Sequence, residues 1–281
     1  MMKRFPLCLM LLALFTASPL PLAQSAGNSV THSPLPGILQ KIESRRGLWN
    51  GFSGTVDMRF LRGEAPEAAC RGDILYDRLN ERMVIRCFNE ESDLLFAFKT
   101  EDREFKLYLP GQNSVYEGNM FDAKYDPAIE MHVSPLDLYR ALKPMMIPER
   151  SSEIERWGED EIILKVYGQK YTAPYLARRV HASREGDVFK ESYYSPAGDP
   201  VTAIYRSAFR EFSGKDAWME NRFYYPEKIA IENESNGRAT QLFFDDLRFF
   251  VDTGSENWEL EIPKDVQVTV IPPVEKEDFF A

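Results

Sequence analysis

The side chains able to do chemistry are few and scattered along this chain. Gly51-Phe52-Ser53-Gly54 resembles the turn that presents a nucleophilic serine, but its second glycine comes one position early and a strand pattern follows where a helix is needed. Asp245 and Asp246, with the acids between Glu155 and Glu161, could supply a carboxylate pair for glycoside cleavage. Neighbours on a strand point to opposite faces, so Asp245 and Asp246 share a cleft only across a bulge. His32, His132 and His181 are isolated and show no metal spacing. The expectation is therefore no catalytic residue, no metal and no cofactor, which points toward binding.

Two cysteines carry the clearest covalent signal. Residues 1–26 have the layout of a secretory signal peptide: Lys3 and Arg4, an apolar run from Phe5 to Thr16, then Ala23, Ser25 and Ala26. Cys8 lies inside that run without a small residue before it, so it does not read as a lipid-attachment site. Cleavage leaves Cys70 and Cys87, an even pair in an exported chain, expected as a disulfide. If Arg78 and Leu79 make a two-residue turn, the two cysteines oppose each other. If the loop is two residues longer, they become diagonal neighbours on the same face. Both registers leave them within reach of a bridge.

The formal charge is −10, and loss of Lys3 and Arg4 makes it −12. Such a balance disfavours nucleic acid and anionic membranes as partners and serves solubility.

The elements that could build a binding surface are mostly strands. Pro36 to Arg46 spaces Ile38, Leu39 and Ile42 as a helix and stops at Gly47. From Gly54 the period becomes two, with Val56, Met58 and Phe60 on one face. Ile74 and Tyr76 then meet Met83, Ile85 and Cys87. Leu94, Phe96 and Phe98 meet Leu109, Leu107 and Phe105 if the turn centres on Glu101 and Asp102. Ser134-Pro135 opens a second helix bearing Leu136, Tyr139 and Leu142. Met145, Met146 and Ile147 follow, as core filler or as a ligand wall. Seven further strand patterns run from Ile162 to Trp258–Ile262. The fold class expected is mainly β with a few helices: one strongly curved antiparallel sheet of about ten or eleven strands, an unclosed β-barrel. Residues 27–281 are expected as a single domain.

The stretch Gly72-Asp73-Ile74-Leu75-Tyr76-Asp77-Arg78-Leu79-Asn80, the later Lys106-Leu107-Tyr108-Leu109-Pro110 and the closing Trp258 to Val266 occur in this order. In those motifs the chain resembles the periplasmic lipoprotein carriers and outer-membrane receptors of the LolA/LolB-like superfamily. The resemblance implies helices forming a lid over a hydrophobic cavity for lipoprotein acyl chains. It implies a lid-holding role for Arg78, beside which Leu79 replaces the family proline.

The expected lining is Val56, Met58, Phe60, Ile74, Met83, Ile85, Leu94, Phe96, Phe98, Phe105, Leu107 and Leu109, with Leu136, Tyr139 and Leu142 above it. The function expected is a non-enzymatic, monomeric periplasmic carrier of lipidated protein or lipid acyl chains. Its partners would be an inner-membrane release complex and an outer-membrane acceptor. The alternative on the same fold is a protein-binding envelope sensor or assembly factor, since the fold also occurs in an anti-sigma-factor partner.

Overall fold

Hairpin follows hairpin along most of this chain, so strands adjacent in sequence become adjacent in space. The computed structural model describes residues 33–47, 49–123, 133–143, 146–170, 173–216, 219–250 and 257–272. The first strands are β1 (Gly51–Arg62), β2 (Ala65–Asp77), β3 (Arg82–Phe88), β4 (Leu94–Glu101), β5 (Glu104–Leu109) and β6 (Ser114–Asn119). After two helices come β7 (Ser152–Trp157), β8 (Ile162–Lys170), β9 (Ala173–Ala182) and β10 (Val188–Tyr194). The chain then forms β11 (Pro200–Asp216), β12 (Met219–Asn233), β13 (Arg238–Phe250) and β14 (Gln267–Val270).

All fourteen form one sheet, in the order β14-β6-β5-β4-β3-β2-β1-β13-β12-β11-β10-β9-β8-β7. The β1–β13 pairing joins the two halves, and β14 and β7 remain as separate edges, so the curved sheet is unclosed. Every ladder is antiparallel except β14 on β6. The count exceeds ten or eleven in part because the charged β7 and the short β14 at the edges also pair. A bulge bends β13 at Asp246, which has positive φ, where the pairing with β1 passes from Arg248 to Asp245.

Turn chemistry decides the registers. Asp77 Oδ1 accepts from the amides of Leu79 and Asn80, while Oδ2 accepts from Asn80 Nδ2 and Arg82 Nε. This carboxylate organises a four-residue connection, and Asp77 opposes Arg82. Of the two registers open for Cys70 and Cys87, the longer loop is therefore the one adopted. Cys87 opposes Gly72, and the disulfide to Cys70 runs diagonally across a Cα separation of 5.8 Å. Gly72 is required there: a Cβ would lie 1.9 Å from the Arg86 carbonyl oxygen.

The next hairpin turns at Asp102 and Arg103, both left-handed, rather than at Glu101 and Asp102. Phe98 accordingly opposes Leu107, and Phe105 opposes Thr100. A slip of two residues preserves which face each side chain occupies.

Helix α1 (Leu35–Arg46) buries Leu35, Ile38 and Ile42 against Ile162, Leu164, Val166, Val180 and Ala182 of β8 and β9. Gly47 ends it at φ 63°, where a Cβ would fall 2.2 Å from that of Phe223. Helix α2 (Met120–Ala123) is one turn. Helix α3 (Pro135–Leu142) starts at Ser134, whose hydroxyl accepts from the Asp137 amide. It packs on the inner sheet face.

The segment 258–262, expected as a strand, makes no ladder. It is a strap on the outer face, where Trp258 packs with Leu75 and Val84, and Leu260 and Ile262 pack near Ala97, Tyr108 and Val115. Arg86 holds it through the carbonyls of Asn257 and Glu259.

A candidate apolar ligand site under helix α3

Period-two alternation sends one set of side chains from β1 to β5 inward. Val56, Met58, Ile74, Met83, Ile85, Phe98, Phe105 and Leu107 form one buried cluster, to which α3 contributes Leu136, Tyr139 and Leu142. Phe60, Phe96 and Leu109 are partly buried against the same cluster. Fourteen of the fifteen expected lining residues thus come together. Leu94 does not. A bulge after Cys87 pairs Phe88 with Leu94, and this turns Leu94 to the outer face beside Leu260 and Ile262.

One end of the cluster is aromatic. Trp49, Phe52, Tyr76, Tyr225 and Phe249 meet edge-to-face or tilted, with centroids 5.3–5.9 Å apart. Arg78 lies at this end, with its guanidinium 5.5 Å from the Trp49 ring and 3.4 Å from the Gly47 carbonyl. These contacts are with the segment leaving α1.

Polar contacts hold α3 at both ends. Buried Asp137 accepts from Ser134 Oγ at 2.8 Å and from Thr202 Oγ1 of β11 at 3.0 Å. At the other end Arg206 Nη2 donates to the carbonyls of Arg140 and Ala141, and Tyr225 Oη to that of Leu142. Lys143 joins Glu81 to the Tyr139 hydroxyl. Glu191 lies beneath, 2.7 Å from both Arg178 and Arg206. Burial pushes its carboxyl up, but the two arginines outweigh that and hold it below the ordinary carboxylate range.

Sequence reasoning missed Arg178, Glu191 and Arg206. A signal existed: Arg178 shares parity with Val180 and Ala182, and Arg206 with Thr202 and Ile204, all buried. Charges of both signs at inward positions on three neighbouring strands indicate a buried ion network.

The chemical candidates do not converge. Ser53 is a ladder residue of β1, opposite Leu75. A bulge does occur at Asp246, but both Asp245 and Asp246 are exposed and line no cleft, and Asp245 lies 3.5 Å from Arg71. His181 Nδ1 is 2.6 Å from Glu161. His32, His132 and Met145 lie outside the described residues, Met146 is exposed and Ile147 is buried beside α1. Among the described residues no group of three or more His, Cys, Asp or Glu could hold a metal, and no helix is long and apolar enough to cross a membrane.

A small cleft between the C-terminal ends of α1 and α3 is lined by Arg45, Arg46, Leu142, Glu191, Arg206 and Tyr224. Its free space of about 40 Å³ holds a few waters and not an acyl chain. Helix α3 itself packs on the inner face.

No family model matches the sequence, and no curated protein does. Solved structures do. A putative outer-membrane lipoprotein-sorting protein domain from Vibrio parahaemolyticus superposes with a TM-score of 0.54 at 16% identity, covering 78% of this chain and 93% of that one. A LolA superfamily protein from Nitrosomonas europaea gives 0.50 at 15% identity, covering 77% and 93%. A DUF1329 family protein from Desulfovibrio piger gives 0.57 at 11% identity, covering 80% and 95%. At these identities the likeness is one of architecture: an unclosed, curved antiparallel sheet with helices on its inner face, which is the LolA-like fold.

Proposed function

We propose that this protein is a non-enzymatic carrier that takes acyl chains of lipidated protein, or similar hydrophobic cargo, onto the inner face of its sheet. Residues 1–26 act as the export signal, and 27–281 form one carrier domain in the periplasm. The observation that carries this reading is the continuous apolar face of β1 to β5 covered by the short helix α3, whose ends are tied by polar groups. Lifting α3 as a unit, by releasing these end ties and its apolar side chains together, leaves the apolar face free for hydrocarbon. Each methylene that replaces α3 on that face contributes about 0.8 kcal/mol. Arg78 steadies the aromatic end through Gly47 and Trp49 while α3 moves. The fold of the lipoprotein-sorting domain supports the choice of cargo.

Phe60 and Phe96, partly buried with ring centroids 6.4 Å apart, provide the test. Phe60→Asp and Phe96→Asp should each weaken binding of a fluorescent fatty-acyl probe at least tenfold while the protein stays folded by circular dichroism. Unchanged binding in both variants would refute the assignment of this face.

A further inference from the structure

Three hydroxyls on the inner face, Tyr76 Oη, Thr100 Oγ1 and Thr240 Oγ1, are buried without a hydrogen-bond partner among the described residues. All three residues are wholly excluded from solvent. A hydroxyl that has lost water and found no replacement destabilises the fold, so its presence calls for an explanation. Two of the three share one cross-strand row. Tyr76 opposes Met83, Met83 opposes Thr100, and Thr100 opposes Phe105.

The row lies at the aromatic end, under α3. Tyr139 and Tyr225 stand close enough to bear on the ionisation of Tyr76, and both of their hydroxyls are engaged, with Lys143 and with the Leu142 carbonyl. Tyr76 alone of the three has no partner among the described residues. Burial pushes its ionisation far above the ordinary tyrosine range, so it keeps its proton and can donate.

We propose that Tyr76 and Thr100 form a polar anchor within the apolar site, donating hydrogen bonds to the carbonyl oxygens of ester-linked acyl groups. The inference rests on the reading of the inner face as an acyl-chain site and adds a selectivity to it. Hydrocarbon is held by burial alone and leaves both hydroxyls unsatisfied. An ester carbonyl satisfies them, and a chain lacking that acceptor forfeits the bond. Thr240 lies in a different row, opposite Phe60 and Ile231, and serves as the internal control.

The test compares dipalmitoylglycerol with its dihexadecyl ether analogue, each displacing a fluorescent fatty acid from wild type, Tyr76→Phe, Thr100→Val and Thr240→Val. Wild type should bind the diester about tenfold more tightly than the diether, the worth of one or two buried hydrogen bonds. Tyr76→Phe and Thr100→Val should each shrink that preference without weakening the diether, and Thr240→Val should keep it. Both changes remove an unpartnered hydroxyl and retain shape, so thermal midpoints should stay at or above that of wild type. Equal binding of the two lipids by wild type, or a preference that survives the double variant, overturns the anchor and leaves the carrier reading standing. Failure of wild type to bind either lipid overturns both.

Discussion

Arg206 donates one guanidinium nitrogen to Glu191 at 2.7 Å and the other to the Ala141 carbonyl at 3.3 Å, so one buried side chain ties the sheet to the last turn of α3. Glu191 compensates Arg206 and Arg178 together. Replacing Glu191 by Ala strands two buried cations, and the expected cost is about 3–5 kcal/mol. Urea unfolding measures that cost, and hydrogen exchange should show α3 amides losing protection before those of β1 and β2. Equal protection losses across the protein would mean that the network does not fasten α3 in particular.

The tether at the outer end of α3 predicts a pH dependence. Its hydrogen bond to Lys143 holds the Glu81 carboxyl below the ordinary carboxylate range. A depressed carboxylate contributes stability above its unfolded pKa and loses it as pH falls through the folded value. Burial lowers the Lys143 ammonium, but the bonds to Glu81 and Tyr139 outweigh this and raise it. That contribution is complete below the unfolded lysine pKa and disappears as pH rises through the folded one. The stability difference between wild type and Lys143→Met should therefore be flat around neutrality, shrink in acid as Glu81 protonates, and shrink again in alkali. Thermal melts across pH check this, and a difference that changes near neutrality contradicts it.

The Cys70–Cys87 bridge spans 17 residues across the β2–β3 hairpin. In the chain-entropy account, opening a loop of that size costs about 3 kcal/mol. The Cys70→Ala, Cys87→Ala protein should melt at lower temperature by a corresponding amount, and wild type in reductant should match it. A melt unchanged by reductant would show that the bridge contributes nothing to stability.

Much of the inner face was legible because parity survives small errors. The turn after β4 falls one position later than expected, which shifts the hairpin pairing by two residues, yet Phe96, Phe98, Phe105 and Leu107 keep their face. Leu94 was misread because a bulge, unlike a two-residue slip, reverses facing, and nothing in Leu94-Leu95 marks one. Ser134 and Pro135 announced α3 through capping chemistry that is local to the sequence. The strap at 258–262 looked like a strand because its apolar residues pack on the outer face, and sequence does not distinguish packing from pairing. The Arg178–Glu191–Arg206 network was not singled out from the sequence at all. Its burial depends on where α3 crosses, which no single strand pattern encodes.

Native mass spectrometry of the protein purified from its native host bears most directly on the central claim. The account predicts a population carrying adducts of acyl-lipid mass that solvent extraction removes and that added diacyl lipid restores. A protein that is lipid-free as isolated, and that takes up none when diacyl lipid is supplied, would contradict it.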